Sequence, residues 1–339
     1  MNELWKILAD ALARGEDAVL CGIIESTGSA PRTSGARMLV LADGTVRGTV
    51  GGGPVEGASL ERARQMLARG ESHVALPFDL NSHTAARAGM VCGGEVTVLL
   101  QRVTTEQSDF FVRVGALHAA RRQGVLLTVL RPEQPPQLAL WSLDGLEGTE
   151  LPAPLISELE AKARKTRQPF GLDADGIRVF AEPLVAATVV HLVGAGHVAL
   201  ATAKVAAFAG FEVVVMDDRE EFANTERYPE ARAVRVLESF DQCLSDLGPD
   251  DYVVIVTRGH LHDRDVLAQA LRTTAGYIGM IGSRSKRDAV YRSLLEAGMT
   301  QADLDRVFCP IGLAIGADTP EEIAVSIVAE MIRVRAGLA

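Results

Sequence analysis

Cysteine is scarce in this chain. Its 339 residues include four, Cys21, Cys92, Cys243 and Cys309, far apart and without any CxxC spacing. That argues against a disulfide scaffold and a zinc ribbon, and it fits a reducing, cytoplasmic compartment. Positive charge is also short: 34 Lys and Arg stand against 44 Asp and Glu, a net charge of −10. A nucleic-acid partner is therefore not expected, because neutralising phosphates takes a basic face. No repeat at a fixed period and no low-complexity segment is evident, and 47% hydrophobic with 23% charged residues is a globular composition. Residues 184–203 carry no formal charge and are numerous enough to span a bilayer. They read instead as a β-rich run, a glycine turn and an alanine-rich helix. The opening "MNELWKILADALARGED" places Leu4, Leu8, Ala11 and Leu12 on one helical stripe and lacks an apolar signal-peptide core.

A chain of this length suggests two or three domains, and the change of pattern places a boundary near Pro183 between two of them. Residues 1–183 mix short strands and helices: a strand in "AVLCGIIEST", a hairpin turning at Asp43-Gly44, a helix after Pro54 that ends at Gly70, and a strand in "EVTVLLQRV". Residues 132–154 are proline-rich and weakly patterned. In residues 184–339, apolar strands alternate regularly with amphipathic helices, which predicts a Rossmann-like, doubly wound parallel sheet. The expected class is α/β, with a mixed α+β domain first.

The most specific motif is "VGAGHVA", residues 193–199. It sits between a predicted strand and a helix, with Asp217 and Asp218 ending the next strand. This is the dinucleotide fingerprint in its context. Gly194 makes the tight turn, Gly196 admits a phosphate, and the helix opening at His197 presents N–H donors. Asp217 or Asp218 would accept from a ribose hydroxyl. Ligands of open parallel sheets bind beyond the carboxyl ends of the strands, and two later segments follow strands there. "TRGHLHD" offers Arg258 and His260 as hydrogen-bonding groups, with His262 spaced poorly for a metal pair. "GSRSKR" offers Ser283 and Arg284, where Arg284, Lys286 and Arg287 crowd a helix N-terminus that disfavours cations. Either a bound anion compensates them or they reach into water. "ADTPEEIA" reads as a capping box with Thr319 as N-cap, Pro320 at N1 and Glu322 at N3.

In the first half, "GSAPRTSGARM" is a polar loop in which Arg32, Ser29, Thr33 and Ser34 could hold an oxyanion. "TVGGGPVEGA" sets Gly51, Gly52 and Gly53 before a helix, and "MVCGGE" places Cys92 before Gly93 and Gly94. Cys92 is the thiol expected in a turn. Cys21 falls in an apolar strand and Cys243 in an amphipathic helix, where buried thiols are inert.

Taken in order, "GSAPRTSGARMLV", "GTVGGGPVE", "GMVCGGEV", "LVGAGHVA", "MDDREEFAN", "TRGHLHD", "YIGMIGSRSKR" and "PIGLAIGADTPEEIAVSIVAEMI" resemble the xanthine dehydrogenase accessory protein (XdhC/CoxI) family over nearly the whole chain. The resemblance implies a chaperone rather than a catalyst. Such a protein holds molybdenum cofactor transiently, assists its sulfuration with a cysteine desulfurase, and delivers it to a molybdenum hydroxylase client. It also implies a cofactor-associated first domain, a Rossmann-type second domain, and an oligomer, here a dimer. By resemblance the cofactor-binding residues include Arg32, Gly51, Gly52, Gly53, Glu56, Gly93, Gly94, Gly194, Gly196, Asp217 and Asp218, with Cys92 as thiol. No complete metal-ligand set is expected. Many relatives carry cysteine immediately after the triple glycine, where this chain has Pro54. Two other readings of the fingerprint are an NAD(P)-dependent oxidoreductase and a nucleotide-regulated scaffold.

Overall fold

The computed structural model describes residues 2–28, 36–80, 94–184, 187–258 and 260–338. Contacts divide the chain into two compact units, Met1–Ala186 and Ala187–Ala339.

The first unit contains two five-stranded antiparallel sheets. One runs β3-β2-β1-β5-β4, from β1 (Ala18–Gly28), β2 (Arg37–Leu41), β3 (Val46–Gly48), β4 (His73–Asp79) and β5 (Gly94–Val103). The other runs β8-β7-β6-β10-β9, from β6 (Gly124–Leu130), β7 (Gln137–Ser142), β8 (Gly145–Glu147), β9 (Phe170–Ala174) and β10 (Ile177–Pro183). Helices α1 (Asn2–Ala13) and α3 (Ser108–Ala119) share a core with inward residues of both sheets, among them Leu8, Phe111, Leu20, Leu39, Leu126 and Leu140. On the far face of the first sheet lies α2 (Gly53–Arg69), packing Val55, Ala63 and Met66 on Cys21, Met38 and Val98. On the far face of the second lies α4 (Ala153–Ala163), packing Leu155 and Leu159 on Leu127 and Val129. Strands covered on both faces bury consecutive residues, which explains why "RMLVL" and "GVLLTVL" are apolar but for Arg37 and Thr128. A buried ion pair, Arg37 Nε to Glu182 Oε2 at 2.7 Å, ties β2 to β10. Gly22 makes room for it, since a Cβ there would lie 2.3 Å from an Arg37 nitrogen.

The hairpin turns at Asp43-Gly44 as expected, with Val40 opposite Val46 and Gly44 at φ 87°. The proline-rich stretch, in contrast, forms β7 and β8, with Ala139 and Trp141 buried against α4.

The second unit is a six-stranded, wholly parallel sheet ordered β13-β12-β11-β14-β15-β16. Its strands are β11 (Val189–Val193), β12 (Glu212–Asp217), β13 (Ala233–Val236), β14 (Asp251–Ile255), β15 (Tyr277–Met280) and β16 (Val307–Phe308). Counted within the unit this is the order 3-2-1-4-5-6 of a Rossmann fold, with the switch point between β11 and β14. Helices α5 (His197–Phe208) and α9 (Pro320–Arg335) cover one face, with Ala203, Ala206, Ile327 and Met331 in the core. Helices α6 (His260–Leu271) and α7 (Arg284–Glu296) cover the other through Val266, Leu267, Val290 and Leu294, and short α8 (Gln301–Leu304) leads into β16. One expectation fails here: Cys243 lies in a loop, not a helix. Gln242 and Asp246 hold positive φ, and Phe240, Leu244 and Leu247 bury themselves on the sheet without helical turns.

Candidate functional site

The glycine turn follows β11 at the switch point. Gly194 has φ 107°, and a Cβ there would lie 2.4 Å from the Val256 carbonyl oxygen. Its role is therefore close packing against the end of β14 as well as turning the chain. Gly196 differs. It caps α5 in extended conformation, and its Cβ would enter open space. That space, beside the first turn of a twelve-residue helix, is the approach a phosphate requires.

The two acids after β12 have separate fates. Asp217 is 2% exposed. Its Oδ2 accepts from the Ala195 N–H at 2.7 Å and from Arg219 Nη2 at 3.1 Å, while Oδ1 accepts from the Arg219 N–H and Nε. Burial alone would raise its pKa, but the hydrogen bonds from Arg219 and Ala195 outweigh it and hold the carboxyl below the ordinary range. Asp217 thus braces the glycine turn from within. Asp218 is half-buried, pairs with Arg258 Nη2 at 3.2 Å and lies 3.7 Å from Arg219 Nε. Because Arg258 follows β14 and Asp218 follows β12, this ion pair bridges across the end of β11 that lies between them.

The basic run at α7 is largely answered by the protein. Lys286 reaches back over Gly282 to pair with Asp263, which is fully buried and accepts from Thr257 Oγ1 at 2.6 Å. Arg287 pairs with Asp288 at 2.7 Å. Ser283 serves as the N-cap, accepting from the Lys286 N–H. Arg284 and His197 are exposed. His260 begins α6, and its side chain lies outside the described residues. The ring of His262 packs 4.8 Å from that of Phe240. The Thr257–Asp263–Lys286 network was not anticipated as a unit. Its one sequence signal was an unexplained lysine in the first turn of a helix. The capping box at Thr319 and Glu322 forms, and buried Glu330 anchors the preceding loop by accepting from Gly312 N–H at 2.9 Å and Tyr277 OH at 2.7 Å.

In the first unit Gly51, Gly52 and Gly53 have φ of 117°, 76° and 58°. Three consecutive left-handed residues explain the three glycines. Three of the loop's N–H groups are satisfied internally: Val50 and Gly52 donate to Glu56 Oε2 at 3.3 and 3.2 Å, and Gly51 donates to Thr49 Oγ1. The Thr49 hydroxyl also bonds Glu56. Glu56 therefore shapes this loop, and its carboxylate fills the position an anion would take. Open space lies beside Gly52 and Gly53, and Pro54 is exposed in the first turn of α2.

Arg32, Cys92 and Gly93 lie outside the described residues, but the residues flanking them do not. Gly28, which leads into the "SAPRTSG" loop, is the register partner of Gly94, which follows "VCG". Val50 packs in the same cluster as Ile23, Leu80 and Val96. The described residues that border three motifs far apart in sequence are thus brought together in the first sheet and its core.

Burial pushes the Cys21 thiol up to about 12 and the Cys243 and Cys309 thiols up to about 11. At neutral pH these three are protonated and poor metal ligands. Among the described residues, no three His, Cys, Asp or Glu side chains gather as a metal set, and no helix is long and apolar enough to cross a membrane.

Residues 190–331 match the family model of the XdhC Rossmann domain, and residues 11–79 match that of the XdhC and CoxI family. The chain is 30% identical to a probable xanthine dehydrogenase subunit of Bacillus subtilis (strain 168), over 99% of this chain and 98% of that protein. It is 25% identical to the molybdenum cofactor insertion chaperone PaoD of Escherichia coli (strain K12), over 98% of this chain and 88% of PaoD. It is 28% identical to the uncharacterized protein YqeB of the same strain over 92% of its own length, but spans 42% of YqeB. The crystal structure of a xanthine dehydrogenase from Bacillus halodurans superposes with a TM-score of 0.81 at 25% identity, covering 99% of this chain and 96% of that one. The chain belongs to the XdhC and CoxI family.

Proposed function

We propose that this protein is an accessory factor that binds molybdenum cofactor, as molybdopterin or its dinucleotide, and assists its sulfuration and insertion into a xanthine dehydrogenase-type hydroxylase. The observation that carries this reading is that Gly28, Gly94 and Val50, which border the "SAPRTSG", "VCG" and triple-glycine motifs in sequence, come together in the first sheet and its core. In the second unit, open space at Gly196 and the half-buried Asp218 suit the phosphate and ribose of a nucleotide portion. The raised pKa values of Cys21, Cys243 and Cys309 leave Cys92 as the candidate to meet the cofactor's metal or sulfur. When bound, the cofactor would supply the molybdenum centre destined for the client. The chain's own residues hold and orient it. A cysteine desulfurase partner, a homodimer and a cytoplasmic setting accompany this proposal.

The test joins retention to delivery. Purified protein is incubated with molybdopterin, NAD(H) and NADP(H) and passed through a desalting column. Retained molybdopterin without redox turnover supports the chaperone. Stoichiometric nicotinamide with a substrate-dependent absorbance change would establish an oxidoreductase instead. In cells expressing a molybdenum hydroxylase client, Cys92→Ala is expected to lower client activation severalfold while its thermal melt stays unchanged. Full activation by that variant would remove the thiol from the mechanism.

A further inference from the structure

We propose that the outer side of α9 is the surface on which this chain pairs with a second copy of itself, the two helices running antiparallel about a two-fold axis. This rests on the homodimer proposed above, though not on cofactor binding, and names its surface. A helix lying on a sheet carries one apolar stripe, turned to the core. On α9 that stripe is Ala324, Ile327, Val328 and Met331, all buried. The helix carries a second one, Val325, Ala329, Ile332 and Ala336, the last of these its C-cap. At 3.6 residues per turn it is centred about 120° round the helix from the first. Val325 is 50% and Ile332 41% exposed, and Ala336 is exposed as well. Isolated surface hydrophobics need no explanation, but four at this spacing form the seam of a helix pair.

The spacing also points to the partner. The intervals along the stripe are four, three and four residues, the same in both directions, and large residues alternate with small. Antiparallel pairing therefore sets Val325 against Ala336 of a second copy and Ala329 against Ile332, each contact returned by the two-fold. A large side chain meets a small one at every level, which fills the seam without voids. Parallel pairing would stack alanine on alanine and leave gaps. Charge selects the same orientation. Glu321 and Glu322 stand in the first turn of α9, and Arg333 and Arg335 in its last. Antiparallel copies bring acid toward base, whereas parallel copies set like charges side by side. A partner of different sequence would not require the stripe to read alike in both directions.

The full-length protein is measured by sedimentation velocity across micromolar concentrations and by oxidative cross-linking. A dimer is expected. Ile332→Glu should raise its dissociation constant at least about a hundredfold, with an unchanged thermal melt, because each copy buries an unpaired charge worth about tenfold or more. Positions 325 and 336 are eleven residues apart on one helix, about 16 Å, too far for a disulfide within the chain. Val325→Cys and Ala336→Cys introduced together should give a disulfide-linked dimer, and neither alone should link beyond the unmodified protein. Should Ile332→Glu misfold, this pattern decides by itself. Linkage by either single variant would show a parallel pair and overturn the geometry. A dimer that withstands Ile332→Glu, or a double variant that stays unlinked, would overturn the assignment to α9 and leave the homodimer standing. A monomeric unmodified protein would overturn both.

Discussion

At the residue scale, two glycines of one fingerprint have opposite tolerances. Gly194 combines φ 107° with a Cβ position 2.4 Å from the Val256 carbonyl oxygen, whereas Gly196 has an ordinary extended φ and open space. Gly194→Ala must therefore strain both its own backbone and the end of β14, at a cost of about 2–4 kcal/mol. Gly196→Val should change stability by less than about 1 kcal/mol, as a surface substitution without strain does, yet fill the phosphate approach and abolish nucleotide or cofactor binding. Denaturant unfolding and ligand retention, measured on both variants, separate the two roles. If Gly196→Val binds normally, the phosphate does not pass there. A sequence reader treats the two positions as one motif. Only the backbone angles and the neighbouring carbonyl distinguish them.

At the element scale, Asp217 ties the end of β12 to the turn after β11 through the Ala195 N–H. Asp217→Asn should cost about 2–3 kcal/mol at neutral pH, the range for disrupting a buried charged hydrogen-bond network. The folded carboxyl titrates below its unfolded value. Its stabilisation is then complete above the ordinary carboxylate pKa of about 4 and fades as pH falls through the depressed folded value. Unfolding curves of the native protein and the variant should accordingly converge in acid and diverge as pH rises. A gap that is constant with pH would show that the charge of Asp217 is not what matters. In the first unit Glu56 plays a comparable part, gathering the N–H groups of a loop that precedes its own helix.

At the scale of the whole molecule, each unit buries its own cores. The parallel sheet is filled on one face by α6 and α7 and on the other by α5 and α9, all from residues after 187. We therefore expect residues 187–339, expressed alone, to fold cooperatively, with a single thermal transition and mixed α/β circular dichroism. Expression only as an aggregated or molten species would show that the first unit is needed for its folding.

How much of this was legible depended on the range of the interaction. Local signals were enough for the strand–turn–helix around "GAGHVA", the Asp43-Gly44 hairpin, the Thr319 capping box and the α/β class, because each rests on neighbours a few residues apart. The strands β7 and β8 escape such a reading because prolines obscure their pattern, and the loop at Cys243 imitates a helix because its apolar spacing serves sheet packing. The sequence alone determined which residue types stood ready: three glycines, paired acids and a basic run. Tertiary structure decided which of them remained available. Asp217 and Lys286 are committed to buried pairs within the protein and Asp218 to the exposed Arg258, while the space at Gly196 stays open. The physical reason is that a buried charge must find partners wherever the fold brings them, and contacts such as Asp263 with Lys286 or Asp217 with the Ala195 N–H join residues distant in sequence and leave no local mark in the chain.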